Sequence, residues 1–437
     1  MQNAVSPNIP TLITEKSGII SDIILFVVIF CYIFAFYVFN ISISILISLP
    51  LFALALLKTA FLRSIIDVIK SRYIYNITIA WFVLLLFSVL YPAIFQTYDL
   101  SLFKIVVMQA VHIIAAIPVL AYIKYKRKKF EYVEKTYVSI FLLQTLIQLL
   151  VINSPSLAEA IRSFNKFDPD VITGIGSNVR GVALSAATTY HLSLVYGICF
   201  ILYVKNYISQ KVSIVNVIIG LLIFVGIFFT GRTAFVGVLF AIAAYFLSIH
   251  TSIKLKIKLL FLVPLVILLC VILISICSPK FYELLNKNVL PYAFEFYYSL
   301  ENSNSMETAS TNVLKSMWQS DLNFYELLLG SGQYTDPITG RYYMSVDPGI
   351  LRHLLFMGII GYSAIVIYQL LLLPVYRMDK QTRYYYGVIL LYLFVMEFKA
   401  VTIGINKFTL STCLLLSYCY LELKHEKNSI HNRIPAE

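Results

Sequence analysis

At 437 residues, with 59% hydrophobic side chains, only 13% charged and a strongly positive mean hydropathy, the chain has too little polar surface to stand in water as an ordinary soluble domain. Its net charge of +12 raises nucleic acid as a partner, yet most of that charge falls in short basic knots that a membrane topology itself requires. The lipid bilayer with its anionic headgroups is therefore the expected partner, and nucleic acid is not.

The first sixteen residues carry Glu15 and Lys16 without an apolar stretch ahead of a small-residue cleavage site, which does not read as a removable signal. Apolar runs long enough to cross hydrocarbon as helices then recur almost end to end. They are continuous rather than alternating with period two, so a helical bundle is expected and a barrel is not. The predicted segments are Gly18 to Phe39, Ile41 to Leu62, Ile74 to Phe95, Lys104 to Ile123, Tyr137 to Asn153 and Gly181 to Val204. Val212 to Thr230, Thr233 to Ile249, Leu259 to Cys277, Ile350 to Leu373, Gly387 to Phe398 with its flanks, and Phe408 to Leu423 complete a set of twelve. The expectation is an all-α polytopic membrane protein with about twelve transmembrane helices in a single membrane domain. No internal repeat is evident.

Five of the six cysteines, Cys31, Cys199, Cys270, Cys413 and Cys419, fall inside these runs and Cys277 at the edge of one. None has Cys-x-x-Cys spacing, so neither a zinc site nor a disulfide framework is indicated.

Orientation follows from Lys and Arg, which collect in cytoplasmic loops. The knot from Lys124 to Lys135 holds six basic residues and fixes the register. It carries Arg63 to Arg72, Lys205 to Lys211, Lys254 to Lys258, Arg377 to Arg383 and the tail from Lys424 to the same side, where 22 of the 34 basic residues gather. Both termini are then cytoplasmic, and two substantial loops, 154–179 and 278–349, lie outside. The second, at about seventy residues, is far longer than an ordinary helix connection and contains Trp318 and many tyrosines, which favours an ordered lid.

Three arginines fall at outer ends of spans: Arg180, Arg232 and Arg352, with Gly181, Gly231 and Gly349 beside or near them. The helices there begin outside, so their positive N-terminal ends join the guanidinium groups in a pattern suited to phosphate. The alternative is that each arginine snorkels to the interface. In Leu328 to Gly361, Gly330 and Gly332 permit tight turns, and Tyr342 and Tyr343, next to Arg341, offer flat surfaces. Asp347 fits either a helix cap or a general base, and His353 either shares the base role or is packed and hydrogen-bonded. His112 and His191 read as core residues. Glu397 with Lys399 and Lys407 fits mutual pairing better than an extension of the anion site. No nucleotide-binding loop, serine elbow, metal-ligand cluster or Asp-x-Asp pair is present in the sequence. An enzyme here is expected to need no metal or other cofactor.

The order and spacing of SNVRGVALSAAT (Ser177 to Thr188), FFTGRTAFVGVLF (Phe228 to Phe240) and the long loop closing on GSGQY and DPGILRHLLFMGIIG resemble the bacterial O-antigen polymerases (Wzy), within the O-antigen ligase and polymerase superfamily. The resemblance covers roughly Ser154 to Leu423. It implies a GT-C-like membrane glycosyltransferase with a large periplasmic loop between spans 9 and 10, set in the bacterial inner membrane with its active face periplasmic. The reaction implied transfers a glycan from undecaprenyl diphosphate to a second lipid-linked repeat unit and releases undecaprenyl diphosphate. Arg180, Arg232 and Arg352 would hold the diphosphate, with Arg341, Tyr342 and Tyr343 binding substrate. Asp347 or His353 would act on the acceptor hydroxyl, with Arg232 stabilising the leaving charge. Lipid-linked glycans and a chain-length-regulating membrane protein are the partners implied. The family's ligases use an external loop histidine, which His353, set deeper, does not match well. A lipid-linked oligosaccharide flippase is the rival class, and it predicts repeated halves and helices broken by Gly and Pro.

Overall fold

The computed structural model describes residues 18–152, 154–165, 183–249, 251–277, 300, 309–319 and 324–431. Arg180 and parts of the two outer loops, 166–179 in the first and 278–299, 301–308 and 320–323 in the second, lie outside the described residues. The chain is a helical bundle whose only paired strands among the described residues are Tyr37–Val38 and Ile41–Ser42, a two-residue hairpin. In chain order the helices are α1 (Ile19–Phe34), α2 (Ile43–Leu57), α3 (Thr59–Lys70), α4 (Arg72–Ile94), α5 (Ser101–Tyr125), α6 (Phe130–Ile152), α7 (Pro155–Arg162) and α8 (Tyr190–Tyr203). They continue as α9 (Ile214–Thr230), α10 (Thr233–Leu247), α11 (Ile253–Cys277), α12 (Ala309–Trp318), α13 (Phe324–Leu329), α14 (Gly349–Leu372), α15 (Lys380–Glu397) and α16 (Lys407–His431).

Each of the twelve apolar segments overlaps one of these helices, and the second overlaps two, α2 and α3. Among the described residues four stretches, Arg72–Ile94, Ser101–Tyr125, Tyr190–Ile208 and Gly349–Arg377, are long and apolar enough to cross a membrane by length and composition. The surface supports that reading. Large apolar side chains such as Leu56, Leu247 and Phe261 stand exposed, whereas Gln144, Glu134, Gln369 and Glu397 are buried. Apolar outside and polar inside inverts the soluble pattern and suits lipid.

Helix starts follow local chemistry. The side chains of Ser71, Ser213 and Asp379 accept the backbone N–H groups of Ile74, Asn216 and Thr382, and Asn406 accepts those of Phe408 and Thr409. Several boundaries differ from expectation. The second segment does not run on to Leu62: the helix breaks at Lys58, whose backbone is extended, and α3 follows with Phe61, Ile65 and Val68 buried and Arg63, Asp67 and Lys70 exposed. Such a two-faced helix belongs at an interface rather than through a bilayer. The sixth segment becomes helical only at Tyr190 and ends in a π turn, Val204–Ile208. The eleventh begins seven residues early because Asp379 caps it. The tenth, α14, is broken at Met357 and Gly358, where φ is +61°.

Two ends of the bundle are chemically distinct. At one, Lys128 pairs with Asp22, Lys124 with Asp67 at 3.1 Å, and Lys205 with Glu134. At the other lie the hairpin, the α4–α5 turn, the N-termini of α8, α10, α14 and α16, and residues 330–349.

Candidate functional site

The second end is built around Arg352, on the first turn of α14. Its guanidinium carbon lies 3.3 Å from the centre of the Tyr342 ring and 4.4 Å from that of Tyr334. The residue is only 8% exposed, and its Nε has no hydrogen-bond partner. No carboxylate pairs with it among the described residues. Burial pushes the Tyr334 phenol up to about 12, against the lowering pull of the Arg352 guanidinium.

The two rings are delivered by a turn. Thr335 bridges Tyr342, the N–H of Tyr343 donates to the Tyr334 carbonyl at 3.1 Å, and that of Asp336 to the Arg341 carbonyl at 2.8 Å. At the tip, the Asp336 carboxylate accepts the N–H groups of Ile338 and Thr339. The base is clamped by Asp99, between α4 and α5, whose Oδ2 accepts the N–H groups of Tyr334 and Thr335, each at 2.7 Å.

Just before it, Gly330 and Gly332, both with positive φ, pass close over the break in α14. A Cβ at Gly330 would lie 2.6 Å from the Phe356 carbonyl oxygen, so only glycine fits. The carbonyls of Leu355 and Phe356, released by the break, accept the N–H groups of Ser331 at 2.7 Å and Gly332 at 2.9 Å. The interruption of α14 is thus satisfied by the GSG segment.

Under the site lies Glu397, the last residue of α15 and fully buried. Its Oε2 accepts the N–H groups of Thr402 at 2.6 Å and Ile403 at 2.8 Å. Oε1 sits 3.3 Å from Nε2 of His353, a close contact not aligned as a hydrogen bond. A Cβ at Gly349 would lie 2.1 Å from that same Oε1, so glycine lets the carboxylate sit against the start of α14, where the helix dipole favours it. The turn after Glu397 is held by more side chains: Gly404 donates to Gln369 at 3.0 Å and accepts from Gln109 at 2.8 Å. Tyr190 donates to the Met396 carbonyl at 2.9 Å. The expected pairing of Glu397 with Lys399 or Lys407 is therefore replaced by His353 and backbone N–H groups.

A further cation, Lys407, and a histidine, His191, face this region. Lys407 lies over the rings of Phe408 and Tyr37, at 5.3 and 5.6 Å. His191 stacks on Phe408 with ring centres 6.2 Å apart, within electrostatic reach of both Lys407 and Arg352. Arg232 follows Gly231, where an added Cβ would lie 2.8 Å from Oγ of Ser193, placing that turn beside the first turns of α8. Along the rim, Trp318 stacks on Phe398 at 5.7 Å.

The sequence candidates thus separate. Arg352 and Tyr342 are brought together. Arg341 is exposed at the end of the turn, and Tyr343 packs against the small cluster of Val346, Leu351 and Leu355 rather than presenting a free face. Asp347 is exposed and does not cap α14: the N-cap is Pro348, with no side-chain cap bond. Proline takes that place because its fixed φ suits a helix entry. His353 has no exposed surface. Sequence reading missed Tyr334, Asp99 and the position of His191 within electrostatic reach of Arg352; the spacing of Tyr334 and Tyr342 about the Asp-Pro-x-x-Gly turn was the available signal. Among the described residues no three His, Cys, Asp or Glu side chains converge as a metal-binding set.

No family model matches this sequence, and no curated protein and no solved structure matches it either.

Proposed function

We propose that the protein is a metal-independent membrane glycosyltransferase of the O-antigen polymerase kind, with about twelve spans in a bacterial inner membrane and a periplasmic active face. It joins oligosaccharide repeat units carried on undecaprenyl diphosphate. The observation that carries this reading is Arg352, a nearly buried cation with aromatic rings against its faces and no carboxylate partner among the described residues. A cation so desolvated is stabilised by an anion supplied from outside, and its unpartnered Nε is a donor a phosphate oxygen can use. His191 lies within electrostatic reach of both Arg352 and Lys407, and the resemblance adds Arg180 and Arg232.

In this reading the acceptor hydroxyl attacks the anomeric carbon of the donor sugar. The bond from that carbon to the diphosphate oxygen breaks, and the diphosphate leaves with the electron pair. Arg352, Arg232 and Lys407 stabilise the charge that grows there. Asp347, exposed one residue before the cap of α14, takes the hydroxyl proton. His353, paired with Glu397 beneath, holds the helix start rather than meeting substrate. The ligase alternative, which needs an external histidine, is less well served by that burial.

The broken α14 is the one feature that favours a transporter, since transporters use discontinuous helices to bind cargo. Its released carbonyls are already taken by Ser331 and Gly332, which leaves no free backbone acceptors of that kind.

The test is reconstituted protein given a lipid-linked repeat unit, with products resolved on a gel. Wild type should yield a ladder. Arg352→Lys should lower turnover about a hundredfold, because the planar fork is lost while the charge is kept. An undiminished ladder from Arg352→Lys, or transport of the lipid-linked unit without polymer formation, would sink the proposal. Asp347→Asn at normal protein level should also lose polymer.

A further inference from the structure

Away from the arginine end, α8, α9, α10 and α11 enclose an apolar cavity of about 360 Å³. Phe224 of α9, Ile242 and Phe246 of α10, and Leu260, Val263 and Ile267 of α11 line it. It opens sideways between helices, with Leu260 61% and Ile242 45% exposed. A space of this kind offers water too few polar partners, so an alkyl chain is its natural content.

One end of the cavity is charged. Lys256 falls on the same face of α11 as Leu260, Val263 and Ile267, one turn ahead of them. Its Nζ donates to the carbonyl oxygens of Phe246, at 2.7 Å, and Ser248, at 2.9 Å. Phe246 itself lines the cavity, so the ammonium is fixed at its mouth. An ammonium has three donors, and these bonds use two. Lys254 and Lys258 are exposed on the same turn, and Lys211, also exposed, follows the π turn that ends α8. An apolar slot with lysines at one end matches a single amphiphile with an anionic head.

We infer that this cavity binds one anionic phospholipid, with an acyl chain between α9, α10 and α11 and its phosphate on Lys256. The site is distinct from the proposed glycan site and does not depend on it.

The test is native mass spectrometry of the full-length protein in detergent, offered phosphatidylglycerol and phosphatidylcholine with the same acyl chains. One phosphatidylglycerol should be retained with about tenfold preference, given the contribution of each basic residue near an anionic headgroup. Lys256→Gln should reduce that preference to near parity while phosphatidylcholine retention is unchanged. Val263→Trp, which fills the cavity, should abolish retention of both lipids, and Ile267→Phe should weaken it should the larger change prevent folding. Leu265→Trp, exposed on another face of α11, should leave both unchanged. Equal retention of the two lipids by wild type, full retention in both cavity-filling variants, or displacement of the lipid by soluble glycerol phosphate alone would overturn the inference.

Discussion

Two buried cations, at opposite ends of the bundle, are treated in opposite ways. Lys205, on the π turn, is bound by both oxygens of the fully buried Glu134, with Oε2 at 2.6 Å. Tyr386 donates to the same carboxylate at 2.9 Å, and the rings of Phe130 and Tyr386 lie 5.1 and 5.4 Å from the ammonium. Arg352 has aromatic neighbours too, but among the described residues no carboxylate. The first charge is neutralised within the protein and holds α6, α8 and α15 together. In the function proposed above, the second is left for an anion from outside the chain, because a buried charge without a counter-ion is costly.

Replacing each cation by methionine is the most direct way to break that comparison. Lys205→Met strands Glu134 in the core and should cost about 3–5 kcal/mol, read as a large loss of thermal stability in detergent. Adding Glu134→Gln should recover part of it. Arg352→Met should change stability by less than about 1 kcal/mol, because lost cation–π contact is offset by removing an uncompensated charge, while glycan polymerisation fails. Similar stability losses at both positions would erase the distinction.

The support beneath Arg352 gives a smaller effect. Gly349→Ala sets a Cβ against the Glu397 carboxylate and should destabilise by roughly 1–3 kcal/mol through forced displacement. Protein level and melting temperature check it, and unchanged values would mean Glu397 is not held under the start of α14.

The smallest effect is acid sensitivity of the turn. Burial alone would raise the Asp99 carboxyl, but the Ser101 hydroxyl and the N–H groups of Ser101, Thr335 and Tyr334 together hold it below its ordinary range. A depressed folded value means the carboxylate stabilises the clamp above its unfolded pKa of about 4 and the stabilisation is lost as pH falls through the lower folded value. Amide exchange at Tyr334 and Thr335, corrected for intrinsic rate, should be flat from neutral pH to about 5 and should rise below about 4. In Asp99→Ala the amides should be open at every pH, and protection equal to wild type would remove Asp99 from the clamp.

Hydropathy alone pointed to a helical membrane-type chain and to the four stretches long and apolar enough to cross a bilayer, because an uninterrupted apolar run reports its own helix without reference to any neighbour. Glycines at 330, 332 and 349 were legible as places of close approach, and Arg352 as a cation near a helix start. Boundaries set by one local residue were less so: the break at Lys58 and the cap at Asp379 depend on which groups water or packing leaves unsatisfied. Contacts between distant positions were invisible. Asp99 meets Tyr334 across 235 residues, and Glu397 meets His353 across a helix and a turn, so Glu397 was assigned the nearest lysines in sequence instead.

The sequence by itself determined an apolar-surfaced helical chain with its charges sorted to the ends, since those properties reside in single residues and their local order. Only the tertiary structure decided which buried charges are answered. Lys205 and Arg352 are each one cation among many in the sequence; what separates them is that packing brings Glu134 to the first and, among the described residues, tyrosine rings without a carboxylate to the second.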